Sequence, residues 1–382
     1  MHLHSRRGFL RQTLGACWTG AALLELAVFR AARARAQSAT ALPGMFDVER
    51  IAAGVWAAIA RSTALINCNA AIFETGGDLM IVDTHSKPSA VASLVAQVRR
   101  EISDKPVRWI VNSHFHWDHT QGTPTYKRIA PHADVVSSDT TRKLIGENGA
   151  ARLKESLAQT AKSIESYREK MAKAGTAGER AYWQRMTSEA REYLDEMRDY
   201  APELPNVTFG TNLVIQAKEH DLHLAFRGRG HTAGDVVVYC PQKKVIATGD
   251  LLHSFAPYIG DGYPKEWPRT LRAVSKFAFD RVIGGHGAVQ EGRQRLTNMA
   301  NYIEELAAAA AAAKKKGQNL ADLQSALTPA SLKSLRDHAY GEFIVNSRLK
   351  YTPNPPGSKS ADLLAETVKT NIEHTYKALD RR

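Results

Sequence analysis

Between positions 114 and 119 the chain reads His114-Phe115-His116-Trp117-Asp118-His119, a dense run of potential metal ligands. Imidazole nitrogen and carboxylate oxygen are donors that zinc takes, and that iron and manganese also accept. Side chains this close cannot all face one ion from a regular helix or strand. A loop can divide them, turning His114 and His116 to one metal and Asp118 and His119 to a second. The competing reading is a polar loop in which histidines fall together by chance, and this spacing weighs heavily against it. Further along stand Gly230-His231-Thr232-Ala233-Gly234-Asp235, Thr248-Gly249-Asp250 and Gly284-Gly285-His286-Gly287. Each sets single His or Asp residues among small ones, where glycine lets backbone approach a pocket closely. Alone, each histidine would more often be an ordinary core or surface residue. As an ordered series they read as ligands.

The elements that must position these residues are short apolar runs alternating with helical patterns. Ala70 to Glu74 and Leu79 to Asp83, joined by a Gly-rich turn, read as a hairpin. Pro88 to Arg100 repeats apolar residues at helical spacing, and a strand from Val107 to Val111 leads into the histidine run. Later strands are expected at Val135-Val136, Leu222 to Phe226, Val236 to Tyr239, Val245 to Ala247 and Arg281 to Ile283. Several of them end directly in a polar cluster, the place where α/β folds build sites on rigid loop roots.

With these motifs in order, the chain resembles the metallo-β-lactamase superfamily from about Asn69 to His286: it carries the HxHxDH run and the three later ligand positions. The resemblance implies a four-layer αββα sandwich with the site along one edge. Carried over by position, it assigns His114, His116 and His231 to one metal and Asp118, His119 and His286 to the other, with Asp250 bridging. The expected cofactors are two zinc ions, with iron or manganese as alternatives. Such a pair lowers the pKa of a shared water and polarises the scissile bond, so the nucleophile is water and Asp118 is the candidate to orient it and shuttle a proton. Asp83 and Asp235 read as groups that orient ligands or cap loops.

The resemblance implies hydrolysis of a small-molecule lactam, lactone, ester or thioester, and the fold does not choose among them. The di-iron electron-transfer branch carries Glu where this chain has His116, and one group of lactamases uses a cysteine ligand that this chain lacks. An iron-dependent thiol or persulfide dioxygenase and a metal-holding accessory protein without turnover are the competing classes. After Asp250, the segment Ser254 to Trp267 mixes aromatics and glycines and suits a loop over a small organic substrate, with Tyr258 a hydrogen-bond donor to an oxyanion. A surface loop anchored by Trp267 is an equal reading.

Residues 149–200 change in pattern. Leu153, Leu157, Ala161, Ile164, Tyr167 and Met171, then Tyr182, Met186, Ala190, Tyr193, Met197 and Tyr200, recur at helical spacing on either side of a Gly175-Thr176-Ala177-Gly178 turn. This predicts an inserted αα-hairpin whose stripe packs on the domain, on a second copy in a homo-oligomer, or as a mouth over the site. Residues 293–382 read as a C-terminal helical extension, ending in a helix from about Ala361 to Leu379.

At the N-terminus, Arg6-Arg7 precede an apolar stretch from about Leu14 to Phe29, and Ala34-Arg35-Ala36 offers a cleavage site. Residues 1–36 therefore read as a twin-arginine export signal, leaving residues 37–292 as the hydrolase domain. The stretch is shorter than the roughly 20 residues of a membrane span, and Glu25 interrupts it. A periplasmic or secreted chain, handled by the twin-arginine machinery and without a stable membrane span, is the expectation. Removing residues 1–36 lowers the formal net charge from +12 to +7. The remaining lysines and arginines are interleaved with acids, which argues against nucleic acid as a partner. Cys68 and Cys240 stand far apart without metal-type spacing and read as buried free thiols.

Overall fold

A computed structural model describes residues 44–63 and 65–381; residues 1–36, where the sequence leads one to expect an export signal, lie outside the described residues. The first sheet has seven strands in sequential order: β1 (Phe46–Ala52), β2 (Val55–Ala60), β3 (Ala70–Glu74), β4 (Leu79–Val82), β5 (Val107–Val111), β6 (Asp134–Ser138) and β7 (Val207–Phe209). Its first four strands meander antiparallel, and β4 to β7 run parallel. The second sheet contains β8 (Asn212–Ile215), β9 (Leu222–Phe226), β10 (Val236–Cys240), β11 (Val245–Gly249), β12 (Arg281–Gly284) and β13 (Gln290–Glu291), also in sequential order.

Unbroken apolar strands are explained by burial on both faces. In β10, Val236, Val238 and Cys240 enter the core between the sheets, while Val237 and Tyr239 face the outer helices. In β4, Met80 and Val82 point inward, and Leu79 and Ile81 pack on the other side. This period of two, apolar on both faces, is what a sheet covered on both sides requires.

Helices α1 (Pro88–Glu101), α2 (Trp117–Thr120) and α3 (Thr123–Ile129) follow in the first half. Val91, Leu94 and Val98 of α1 and Tyr126 of α3 cover the outer face of the first sheet. On the second sheet, α6 (Trp267–Val274) and α7 (Gln294–Lys315) do the same. The chain continues into α8 (Leu320–Ala326), α9 (Lys333–Arg336), α10 (Tyr340–Tyr351) and α11 (Ser360–Ala378), whose Leu323, Leu335, Ile344 and Ile372 join the core of that outer layer. The result is an αββα sandwich.

The inserted hairpin is α4 (Asp139–Ala172) and α5 (Ala177–Glu196). The sequence reading starts it at 149; the structure starts it ten residues earlier, at a cap where Ser138 Oγ accepts from Thr141 N. Gly146 and Gly149 lie inside this helix, facing Leu204 and Pro202. Thr176 and Glu179 form a reciprocal capping box that starts α5. The apolar stripe packs on the domain: Leu153, Tyr193 and Met197 gather with Leu65 and Trp117, a residue within the histidine run. Glu196 accepts from Ser89 N and Oγ, fastening the hairpin to the start of α1. Cys68 and Cys240 are buried and free. Among the described residues, no helix is long and apolar enough to cross a membrane.

Candidate metal centre

Beyond β5 the chain bends at His114 and Phe115, and His116 stands at the N-terminus of α2 with φ −66° and ψ 150°. The helical turn that follows redirects Asp118 and His119. The second sheet contributes His231 from the β9–β10 connection, Asp250 immediately after β11, and His286 just beyond β12. Three ligand groups assemble within 4.8 Å: His114, His116 and His231; Asp118, His119 and His286; and His114, His119 and Asp250. All of these residues are buried.

Hydrogen bonds orient the rings. His119 Nδ1 lies 2.8 Å from Asp83 Oδ2, which leaves Nε2 facing Asp118, Asp250 and His286. His286 Nδ1 donates to the Asn67 carbonyl at 3.2 Å, and its Nε2 is 3.2 Å from Asp118 Oδ2. Ser113 Oγ donates to Asp83 at 2.9 Å and stands 3.0 Å from His114 Nδ1, leaving His114 Nε2 buried without a partner. Asp261 Oδ2 is 2.9 Å from His116 Nε2, so His116 Nδ1 faces inward, 2.8 Å from His231 Nε2. Two inward nitrogens at that separation require a proton or a cation between them. Asp250 divides its oxygens, with Oδ1 toward His119 at 3.4 Å and Oδ2 toward His231 and His286 at 3.6 and 3.4 Å. Its Oδ1 also lacks a hydrogen-bond partner.

Electrostatics shows the same demand for positive charge. Burial pushes the Asp118 and Asp250 carboxyls upward, but His119 and His286 beside them outweigh it and hold both well below the usual range. Burial works to lower His286, yet Asp250 and Asp118 raise it to about 9. His114 and His231 are lowered well below normal, mainly by burial and then by neighbouring histidines. Burial works to lower His119 as well, but Asp250 and Asp118 raise it well above its ordinary value. In the metal-free chain His119 and His286 therefore supply the positive charge that the two buried carboxylates demand, while His114 and His231 are neutral donors. A cation fits this set, because an isolated buried carboxylate is costly.

Surrounding residues hold this set in place. Asp83 adopts a left-handed φ of 69° and accepts from Ser113 N at 2.8 Å. Asp235 grips Thr232 through its backbone N and hydroxyl; burial raises its carboxyl to about 7. A Cβ on Gly285 would collide with Asp250 Oδ1 and press on the His119 ring, so the close approach of this turn depends on glycine. The loop after Asp250 is anchored by buried Trp267, whose Nε1 donates to Leu251 O at 3.1 Å, while Tyr258 is 48% exposed. The Tyr258 ring stands edge-on to His116 and His231, with centroids 5.9 and 6.1 Å away, and meets His374 of α11 at 5.4 Å. Sequence reading missed Asp261, Arg152 and His374. They lie remote in the chain from the ligands they adjoin, and no local spacing marks them.

The fold and this clustering define a metallohydrolase-like protein, and the family follows. The chain belongs to the metallo-beta-lactamase superfamily, whose sequence model matches residues 64–286. A metallo-beta-lactamase type 2 from Elizabethkingia meningoseptica is 27% identical over 85 residues, covering 21% of this chain and 34% of that protein. The chain thus matches about a third of that relative's length. Among solved structures, a metallo-beta-lactamase from Pontibacter korlensis is 20% identical, with TM-score 0.48, covering 67% of this chain and 98% of that one. The DIM-1 metallo-beta-lactamase is 17% identical at the same TM-score of 0.48, over 68% and 97% of the two chains.

Proposed function

We propose that this chain is an exported dinuclear zinc hydrolase that opens a small-molecule lactam, lactone, ester or thioester bond. One observation carries the reading: two histidine-containing groups present inward donor atoms around Asp250, whose Oδ1 faces His119 and whose Oδ2 faces both His231 and His286. His114, His116 and His231 would hold one ion, and Asp118, His119 and His286 the other. Bound there, two dications supply Lewis acidity and a water acidified to near neutral pH.

The chain's own residues do the rest. Asp83 and Asn67 fix the protons on the outer nitrogens of His119 and His286, so that the inner nitrogens are the ones that would give up their protons to an ion. Asp118, held ionised beside His119 and His286, can accept a hydrogen bond from the attacking water and orient it, and is the candidate to pass its proton to the leaving group. Tyr258 keeps its hydroxyl proton, because burial and then Asp261 raise its pKa, and it can donate to developing negative charge. The Arg6-Arg7 segment supports twin-arginine export to the periplasm or beyond.

The test is hydrolysis of a panel of β-lactams, lactones and thioesters by the purified chain and by Asp118→Ala. Turnover of at least one class, lost by about a hundredfold or more in the variant, is expected. Oxygen uptake with a single bound iron and no hydrolysis would overturn the reading in favour of a thiol or persulfide oxygenase.

A further inference from the structure

Asp261 joins parts of the chain that are far apart in sequence. Its Oδ2 is 2.9 Å from His116 Nε2, and its two oxygens accept from the guanidinium of Arg152 at 2.7 and 3.0 Å. Arg152 belongs to α4 of the inserted hairpin, and its guanidinium also covers the ring of Phe115 at 4.7 Å. Phe115 is the residue between His114 and His116. The network runs from surface to interior: the side chains of Arg152, Asp261 and His116 are 42%, 24% and 9% exposed. An ionised carboxylate only accepts, so His116 carries its proton on Nε2 and turns the lone pair of Nδ1 inward. A planar guanidinium binding both oxygens fixes the plane as well as the position of that carboxylate.

We propose that Arg152 and Asp261 are positioning residues of the metal centre, acting in series. The hairpin sets Asp261, and Asp261 sets the tautomer and tilt of His116. Together they set the affinity of the His114–His116–His231 group for its ion. This rests on the reading of those histidines as ligands. It makes the inserted hairpin a supporting member of the centre as well as a helical layer packed on Trp117. The loop carrying Asp261 is gripped independently from the C-terminal side, where Arg381 donates to Gly260 O and Lys265 Nζ to Leu379 O. Replacing Arg152 therefore frees the carboxylate and leaves the loop seated.

The experiment titrates the metal-free mature chain with Zn2+ against a chromophoric chelator and reads the affinity of each ion. It compares the unaltered chain with Asp261→Ala, Asp261→Asn, Arg152→Met and the Arg152→Met/Asp261→Ala double variant. Methionine retains apolar cover over Phe115, and thermal melting of each metal-free protein checks its fold. Asp261→Ala is expected to weaken one ion by about 10–100-fold. Asp261→Asn, which keeps one acceptor oxygen, loses less. Arg152→Met weakens the same ion by about threefold to tenfold, and the double variant is no weaker than Asp261→Ala alone, since groups in series do not add. Unchanged affinity in Asp261→Ala, or losses that multiply in the double variant, overturns the proposal while leaving the metal centre standing. An unaltered chain that takes up no ion overturns both.

Discussion

Asp83 Oδ2 stands 2.8 Å from His119 Nδ1, across 36 residues of sequence, on a backbone held at φ 69°. A non-glycine residue in the left-handed region costs about 1–3 kcal/mol and persists only where its surroundings fix it. Here the surroundings are Ser113 N, Ser113 Oγ and the His119 ring, all converging on one carboxylate. Asp83→Asn keeps the backbone preference and one acceptor but halves the carboxylate's accepting capacity. It is expected to weaken the ion of the Asp118–His119–His286 group by about 10–100-fold, measured by chelator competition.

Gly285→Ala tests how tightly the turn packs on the site. Its methyl group would enter the space of Asp250 Oδ1 and the His119 ring. Displacing these groups by about an ångström should cut kcat/KM by about a hundredfold. Circular dichroism should show the secondary structure retained.

Tyr258→Phe removes only a hydroxyl from a half-exposed ring. If that hydroxyl donates to charge developing in the transition state, kcat falls by about tenfold to a hundredfold. KM and zinc content should stay close to those of the unaltered chain.

Away from the site, Glu305 of α7 accepts from Lys333 N and Ser334 N, both at 2.9 Å, and so caps α9 from a neighbouring helix. Burial raises its carboxyl, but the Ser334 hydroxyl and the two backbone N–H groups outweigh this, leaving the pKa below its ordinary 4.5. A depressed carboxyl contributes stability above its unfolded pKa, and that stability disappears as pH falls through the folded value. Thermal melts of the unaltered chain should therefore decline on acidification below about pH 4.5. Glu305→Gln should lose about 1 kcal/mol at neutral pH and show a shallower decline.

Much of this was legible in the sequence, for definite reasons. Strands such as Val236–Cys240 are apolar on both faces and announce themselves as continuous runs. The residues that the structure gathers around Asp250 were also legible, because residues 114–119 form one dense run after a strand, and His231, Asp250 and His286 each sit among small residues near a strand end. β1, with Asp47, Glu49 and Arg50, escaped notice because it is an edge strand with mixed polarity. The first turns of α4 were not marked by the apolar repeat, which begins at Leu153, and Gly146 and Gly149 lie within them. Asp261 and His374 could not be found, since their meaning lies in contacts made only after both sheets, the hairpin and α11 have assembled.

The export reading makes a separate prediction on the full chain. Replacing Arg6 and Arg7 with lysine should hold the protein in the cytoplasm of a bacterial host, where the unaltered chain reaches the periplasm or medium. Fractionation with immunoblotting reads the result, and unchanged export would remove the twin-arginine assignment.

The most direct test of the central claim is the number of metal ions per purified chain, by elemental analysis, in the unaltered protein and in His114→Ala and His286→Ala. Two groups divided by Asp250 predict about two zinc ions in the unaltered chain and about one in each variant. One ion in the unaltered chain, or an unchanged count in either variant, would contradict it.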